Sequence, residues 1–201
     1  FSPACAVVVR LILASVLPLL PDGTYYWDCS RHPSSGYLDH PPMVAILIRW
    51  GTSLAALFGA GPSPLAIRFF PVLAGGVATL FAVKIACRLG GGAAARTAAL
   101  AFSLMPLAAT GLVLATPDAP LLAASAAGLY YVVRALQAPL KSKEALLHWC
   151  LAGLALGIAF SSKYTSILLP ITVTAAVLAR PSLRQRLREP GPYLACIIAT
   201  I

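Results

Sequence analysis

Long apolar runs, separated by short polar or basic segments, make up most of this chain. A helix that crosses a bilayer needs about 20 mainly apolar residues, so the runs predict about seven spanning helices. They cover residues 5–20, 66–89, 93–115, 119–136, 146–162, 164–179 and 192 onward. The chain begins at Phe1 rather than at a methionine and ends at Ile201 inside an apolar run. We therefore expect residues 1–201 to be the N-terminal part of a single transmembrane domain, with the last span cut short.

The longest polar break, residues 21–65, contains an apolar segment of a different kind. Met43–Phe58 is interrupted by Arg49 and is followed by glycines and prolines. It is too short to span, and it predicts a helix that lies in the membrane interface. A short helix over Gly23–Arg31 is predicted before it. The expected fold class is therefore all-α, a polytopic transmembrane helical bundle with interfacial helices in its first outer loop.

Charge then orients the predicted spans. Most of the basic residues stand in three short segments, residues 88–96, 134–145 and 180–191. Short basic loops are retained in the cytoplasm, and their side chains also meet anionic lipid headgroups. This orientation places residues 21–65, 115–119 and 161–164 together on the outer face. With a mean hydropathy of +0.85, the formal charge of +9 indicates a membrane protein rather than a nucleic-acid-binding one.

Four of the six acidic residues fall in these outer segments. All four stand in short motifs, PDGTYYWD at 21–28, YLDHPP at 37–42 and TPDAP at 116–120, and three of them, Asp22, Asp39 and Asp118, are the candidate catalytic residues. Carboxylates at a membrane boundary are costly and usually mark a functional site. Their clustering favours an enzyme over a membrane anchor.

Simpler roles remain open for some of these residues. Asp22 is either the N-cap of the short helix or a site carboxylate, and the two roles are compatible. Asp118 has the same alternatives at the start of the next span. Tyr25, Tyr26 and Trp27 are also typical of an aromatic belt at the membrane interface.

Cationic side chains supply the other half of the predicted site. His40 follows Asp39 on a turn stiffened by two prolines, and Lys163 is the only lysine expected on the outer face. Lys163 either extends to lipid headgroups or holds a phosphate as a point charge. Together with Arg68, these residues predict one cavity in which a carboxylate accepts a proton and cations stabilise a leaving phosphate.

No cofactor is predicted from the remaining chemistry. The five cysteines show neither metal-binding nor disulfide spacing, and we interpret them as small buried apolar residues. Lone aspartates leave a divalent metal as an open alternative.

The motifs resemble those of glycosyltransferase family 39, the protein mannosyltransferase-like group of the GT-C superfamily. The resemblance is strongest to the bacterial branch that includes the lipid A aminoarabinose transferases. It runs in order through residues 22–27, 37–42, 68–71, 114–120, 162–164 and 188–193. It implies a GT-C-like membrane enzyme of the cell envelope that takes a sugar from a polyprenyl phosphate on the outer face, with inversion.

By the same resemblance, Asp22 is the general base that acts on the acceptor hydroxyl. Asp39 and Asp118 match acidic positions that shape the acceptor and sugar pocket. His40 stands where some relatives carry a lysine near the donor phosphate, and Lys163 matches a lysine at the outer end of a later span.

Arg68, Tyr25 and Tyr26 complete the expected substrate- and phosphate-binding set. One departure from the family is Gly23, because many relatives carry a second carboxylate at that position. The implied partners are a polyprenyl-phosphate-linked sugar, a lipid, glycan or protein acceptor, and membrane lipids. The expected location is the bacterial inner or plasma membrane, with an extracytoplasmic site.

The competing interpretation is an ion- or proton-coupled transporter or flippase. Transporters place ionisable groups near the middle of the bilayer, in broken helices. Here the carboxylates stand at the ends of the predicted spans, which favours the enzyme.

Overall fold

A computed structural model describes residues 3–200. Phe1, Ser2 and Ile201, on which the interpretation of the chain ends depends, lie outside this range, as do the side chains at positions 107 and 109. All regular elements within it are helical, which confirms the all-α prediction. The α-helices are α1 Pro3–Val16, α2 Pro21–Arg31, α3 Met43–Leu57, α4 Pro64–Leu104, α5 Pro106–Gly111, α6 Asp118–Gln137, α7 Lys143–Phe160, α8 Leu168–Ala179, α9 Pro181–Arg184 and α10 Pro190–Thr200. Two 3₁₀ turns, Tyr164–Ile167 and Gln185–Arg188, precede α8 and follow α9.

Among these residues, the helices α4, α6 and α7 are long and apolar enough to cross a membrane. The count rises to five if each of two sharply bent pairs is one span. One pair is α1 with α2, bent by 88°, and the other joins Tyr164–Ala179 to Pro181–Arg188, bent by 115°. Because α2 is polar and turns away from α1, we treat it as lying outside the spans. The higher span count predicted from the sequence stays a prediction.

Two breaks divide the region that the sequence assigns to its second and third spans. Gly91 has a φ of 72° and a ψ of −165°, which interrupts α4 inside the predicted loop 88–96. Glycine reaches this conformation without the steric cost that a side chain adds. The predicted span 93–115 is also not continuous, because α4 ends at Leu104 and Pro106 starts α5. Proline has no N–H to donate and its ring clashes with the preceding turn, so a new helix begins there.

The helices pack through α4, α6 and α7. Helix α6 lies against both α4 and α7, helices α1 and α3 lie against α4, and α10 lies against α7. Glycines allow the closest approaches, because a Cβ added at Gly51 of α3 would lie 2.1 Å from the carbonyl oxygen of Ala66 in α4. A Cβ at Gly153 of α7 would likewise lie 2.5 Å from the Ala195 oxygen of α10. Small residues at helix contacts are typical of membrane bundles.

The predicted basic loops meet at one end of the bundle, which we call the basic end (residues 134–145 and 180–191). Arg186 and Glu189 form an ion pair with an N–O distance of 3.4 Å. Glu189 Oε1 also accepts from the backbone N–H of Lys141 at 2.6 Å. Arg186 donates to the carbonyl oxygens of Leu136, at 3.0 Å, and Ala138, at 2.5 Å. These bonds tie the segment after α6 to the segment before α10.

Candidate active site

The other end of the bundle, which we call the acidic end, is built by residues 21–42, 115–118 and 161–164. A small apolar core joins these segments and consists of Tyr26, Val44, Ile48, Ile67 and Ala115. The backbone N–H of Met43 donates to the carbonyl oxygen of Ser161 at 2.9 Å. The three acidic motifs therefore lie at the same end of the helices, as the charge pattern predicts.

Asp118 lies at the start of α6 and is paired with Lys163. The distance from Lys163 Nζ to Asp118 Oδ1 is 2.9 Å, and the two side chains are 35% and 52% exposed. The N-cap of α6 is Pro117, and no side chain caps this helix end, so the N-cap interpretation of Asp118 is wrong. As the first helical residue, Asp118 still interacts favourably with the positive end of the helix dipole.

Asp22 lies in the first turn of α2, where it is exposed. The helix begins at Pro21, two residues before the predicted start, and its N-cap is Leu20. The N-cap interpretation of Asp22 is therefore also wrong. Proline explains the shift, because its fixed φ and missing N–H suit the first helical position.

The loop that carries Asp39 and His40 folds back onto the tyrosines of α2. The Tyr25 hydroxyl donates to Asp39 Oδ2 at 3.4 Å. The rings of Tyr26 and His40 meet edge to face with centroids 5.5 Å apart, and those of Tyr25 and Tyr26 with centroids 5.2 Å apart. The aromatic-belt interpretation does not fit Tyr26, which is only 8% exposed and packs inside the protein.

Tyr26 lies close to two of the carboxylates. Burial raises the pKa of its phenol to about 12, and the negative charges of Asp22 and Asp118 contribute to the shift. The adjacent Tyr25 contacts Asp39. The tyrosine pair therefore interacts with all three predicted carboxylates, with Asp39 by a hydrogen bond and with Asp22 and Asp118 through their charge.

Arg68 is not part of this group. Its guanidinium is buried and donates to the carbonyl oxygens of Leu17 and Pro18, each at 2.7 Å, and of Ala14 at 3.3 Å. These carbonyls belong to the C-terminal end of α1 and the residues after it, where helix acceptors lack intrahelical partners. Three of its N–H groups are thus used to hold α1 against α4, and the phosphate-binding role predicted for Arg68 stays a prediction.

Tyr37 is a residue of the site to which the sequence analysis assigned no role. Its hydroxyl donates to the carbonyl oxygens of Cys29, at 2.7 Å, and His32, at 3.1 Å. Its backbone N–H donates to the His40 oxygen at 3.0 Å. These bonds hold the Asp39 loop against α2. The signal was present, because Tyr37 opens the YLDHPP motif.

An apolar cavity of about 280 Å³, which the sequence pattern did not predict, adjoins Asp118. Its walls come from the break between α4 and α5 and from the first turns of α6, and include Phe102, Met105, Ala108, Leu112 and Leu122. The cavity therefore places a carboxylate beside an apolar surface. Within residues 3–200, no group of three or more His, Cys, Asp or Glu side chains is placed to hold a metal ion.

Comparisons with known proteins agree with this fold. The profile of the dolichyl-phosphate-mannose-protein mannosyltransferase family matches residues 39–201, which include Asp39, Asp118 and Lys163. The crystal structure of ArnT from Cupriavidus metallidurans in the apo state is similar, with a TM-score of 0.76 and 21% identity over 98% of this chain. The S. cerevisiae protein O-mannosyltransferase Pmt1–Pmt2 complex bound to the sugar donor is similar with a TM-score of 0.72 and 21% identity, also over 98% of the chain.

The chain spans 40% of the length of the ArnT chain and 30% of the matched chain of the Pmt1–Pmt2 complex. No curated protein sequence matches it significantly.

Proposed function

This chain belongs to the dolichyl-phosphate-mannose-protein mannosyltransferase family, and on that premise we propose that it is a GT-C-type membrane glycosyltransferase. The donor is a polyprenyl-phosphate-linked sugar, and the acceptor is a hydroxyl group on a lipid, glycan or protein. The observation that carries the proposal is the arrangement of Asp22, Asp39 and Asp118 around the Tyr25–Tyr26 pair, with Lys163 bound to Asp118.

Asp22 is the general base in this reaction. Its carboxylate is exposed and does not cap α2, so it is available to an incoming hydroxyl. It removes the proton of the acceptor hydroxyl as the oxygen attacks the anomeric carbon. The bond from that carbon to the phosphate oxygen breaks on the opposite side, which inverts the anomeric configuration.

Lys163 and His40 stabilise the departing phosphate. Lys163 shares its ammonium with Asp118 but keeps about a third of its side chain exposed, so a phosphate oxygen has access to its remaining N–H donors. A positioned cation is most effective where negative charge develops on the leaving group. Asp39 and Asp118 shape the sugar pocket, with Tyr25 and Tyr26 as its aromatic wall.

The apolar cavity beside Asp118 suits the lipid part of the donor. Its walls are apolar while Asp118 stands at its edge, which matches a molecule with a hydrocarbon chain and a polar head. Ligand sites are commonly apolar clefts with a few polar groups that fix orientation.

We place the site on the extracytoplasmic side of a bacterial inner or plasma membrane, as the positive-inside rule predicts. Cys29, in α2 and partly exposed, tests this orientation. An impermeant thiol reagent added to intact cells is expected to label it, with the other four cysteines replaced by serine. Labelling that requires permeabilised cells would place the acidic end in the cytoplasm.

Substitution of the proposed base tests the mechanism. In the full-length protein, Asp22→Asn is expected to lower the transfer of a labelled sugar from its polyprenyl-phosphate donor by about 10²- to 10⁴-fold. The reason is that the neutral asparagine amide cannot act as a base towards the acceptor hydroxyl. Asp28→Asn is the matched control, since Asp28 lies in the same helix and makes only an exposed 3.8 Å ion pair with Arg31. Transfer that survives Asp22→Asn would remove Asp22 as the base. Lipid-linked sugar that crosses vesicles without a covalent product would indicate a flippase instead.

A further inference from the structure

Two cations from two helices contact one tyrosine, and a third lies on the same helix as one of them, at the end of the bundle opposite the carboxylates. Arg134 Nη1 of α6 donates to the Tyr130 hydroxyl at 3.3 Å, and Arg88 lies one helical turn after Lys84 on α4. Lys84 Nζ lies 5.7 Å from the centroid of the Tyr130 ring and 5.1 Å from that of Phe81. We call these residues the basic–aromatic cluster.

The positive charge of this cluster is only partly balanced. Glu144 contacts Arg134 at 3.0 Å, and it is the one acidic partner of the cluster among the described residues. Lys84 and Arg88 are four residues apart on α4, a spacing at which like charges repel on a helix surface. Both side chains are exposed, so the cluster is open to an anion from outside the protein.

The aromatic rings hold part of this charge in place. A cation over an aromatic face within about 6 Å is attracted by the ring quadrupole. Lys84 meets that condition at both rings, and the Tyr130 hydroxyl accepts a hydrogen bond from Arg134. Side chains that are held in position before a ligand arrives lose less conformational entropy when it binds.

The cluster is separate from the proposed sugar-transfer site. Asp118 begins α6, and Tyr130 lies 12 residues further along the same helix, which corresponds to about 18 Å along its axis. The cluster therefore lies towards the end of α6 that is opposite Asp118, the end that the charge pattern assigns to the cytoplasmic side.

We propose that the basic–aromatic cluster binds the phosphate headgroup of an anionic phospholipid in the leaflet opposite the carboxylates. Basic pockets between spanning helices are suited to anionic headgroups. Arg88 and Arg134 each offer a planar fork that matches two phosphate oxygens, and Lys84 adds a point charge. A bound headgroup supplies the negative charge that Glu144 alone does not.

The proposal is tested by native mass spectrometry of the full-length protein in detergent, titrated with phosphatidylglycerol or with zwitterionic phosphatidylcholine. The wild-type protein is expected to bind phosphatidylglycerol more tightly than phosphatidylcholine. The double variant Lys84→Gln with Arg88→Gln is expected to bind phosphatidylglycerol roughly thirtyfold more weakly. This loss corresponds to about 2 kcal/mol, because each basic residue near an anionic membrane surface contributes about 1 kcal/mol. Its affinity for phosphatidylcholine is expected to stay the same.

The matched control is the double variant Lys141→Gln with Lys143→Gln. It removes two exposed lysines from the basic end but none from the cluster, and its affinity is expected to change less than twofold. Arg88→Lys keeps the charge and the fold but loses the guanidinium fork, and is expected to bind about threefold more weakly.

Three results would overturn the proposal. The first is unchanged phosphatidylglycerol binding in the Lys84→Gln, Arg88→Gln variant. The second is an equal loss in the control variant, which would indicate diffuse surface charge. The third is displacement of the lipid by an equal concentration of inorganic phosphate, which would identify a site for free phosphate.

Discussion

At the acidic end of the bundle the Asp118–Lys163 pair is roughly half exposed, whereas at the basic end the Arg186 and Glu189 side chains are only 8% and 4% exposed. The exposed pair is a single contact. The buried pair is one part of a network that includes the Lys141 N–H and two carbonyl oxygens. Exposed ion pairs contribute little to stability, while removal of one partner from a buried pair is costly. The basic end therefore holds helices together, whereas the acidic end leaves its charges accessible to solvent.

At both ends, a buried arginine caps another helix. Arg68 donates to carbonyl oxygens at the end of α1, and Arg186 donates to carbonyl oxygens around the end of α6. Basic groups at helix C-termini satisfy acceptors that have no intrahelical partner and interact favourably with the helix dipole. The two ends thus differ in their ion pairs but share this structural use of arginine.

The largest effect on stability is expected at the basic end. Arg186→Met leaves Glu189 buried without its ion-pair partner and removes the donors to Leu136 and Ala138. We expect the free energy of unfolding to fall by about 3–5 kcal/mol, measured by denaturant titration in detergent micelles.

Arg188→Met is the control for this change, because Arg188 is exposed and lies two residues away. It is expected to alter the unfolding free energy by less than about 0.5 kcal/mol. Equal losses of unfolding free energy in the two variants would show that the buried Arg186–Glu189 network does not stabilise the basic end.

A smaller effect is expected where α3 meets α4, next to the acidic end. Gly51→Ala brings a Cβ to 2.1 Å from the Ala66 carbonyl oxygen, a backbone atom that cannot turn aside. The helices must separate, and overpacking of this kind costs about 1–3 kcal/mol. Gly61→Ala meets no atom within 4 Å and should be close to neutral. If both variants unfold alike, this contact does not position α3.

An effect confined to alkaline pH is expected from Tyr26. Its pKa in the folded protein is raised above the usual value of 10.0 to about 12, so folding favours the protonated phenol. The stabilisation is complete below about pH 10 and is lost as the pH rises towards 12. Tyr26→Phe should remove this part of the decline, seen as the difference between the two stability–pH curves. Parallel curves would show that folding does not raise the pKa of Tyr26.

The smallest change in stability is expected from Lys163→Gln, although it breaks the shortest ion pair of the acidic end. Because both partners are substantially exposed, the unfolding free energy should change by less than about 1 kcal/mol. Sugar transfer should fall by at least about tenfold, since the leaving phosphate loses a cation. Loss of stability with intact transfer would assign Lys163 a structural role instead.

The helices were predictable because long apolar runs are visible in local stretches of sequence. The clustering of the acidic motifs was predictable because the basic residues of whole loops orient the spans. The break at Gly91 and the new helix at Pro106 follow from residues that cannot continue a helix without cost. By contrast, the partners of individual side chains depend on tertiary contacts. Lys163 and Asp118 are 45 residues apart, and no local pattern specifies that pair.

Arginine was the residue type that the sequence described least well. A basic side chain at the outer end of a span suggests a phosphate ligand, yet Arg68 binds carbonyl oxygens of α1. Phosphate binding and the capping of α1 both require guanidinium N–H groups near the outer end of α4. Only the bend between α1 and α2, which turns carbonyls towards α4, decides between them, and that bend is a property of the folded bundle.

The hydrogen bond between the Met43 N–H and the Ser161 oxygen joins two of the acidic-end segments through main-chain atoms alone. Every amino acid except proline supplies that donor. Substitutions at positions 43 and 161 therefore leave this hydrogen bond possible, unless proline replaces Met43. The main-chain contact between these segments thus does not depend on side-chain identity, so the side chains at this end can change while the contact is kept.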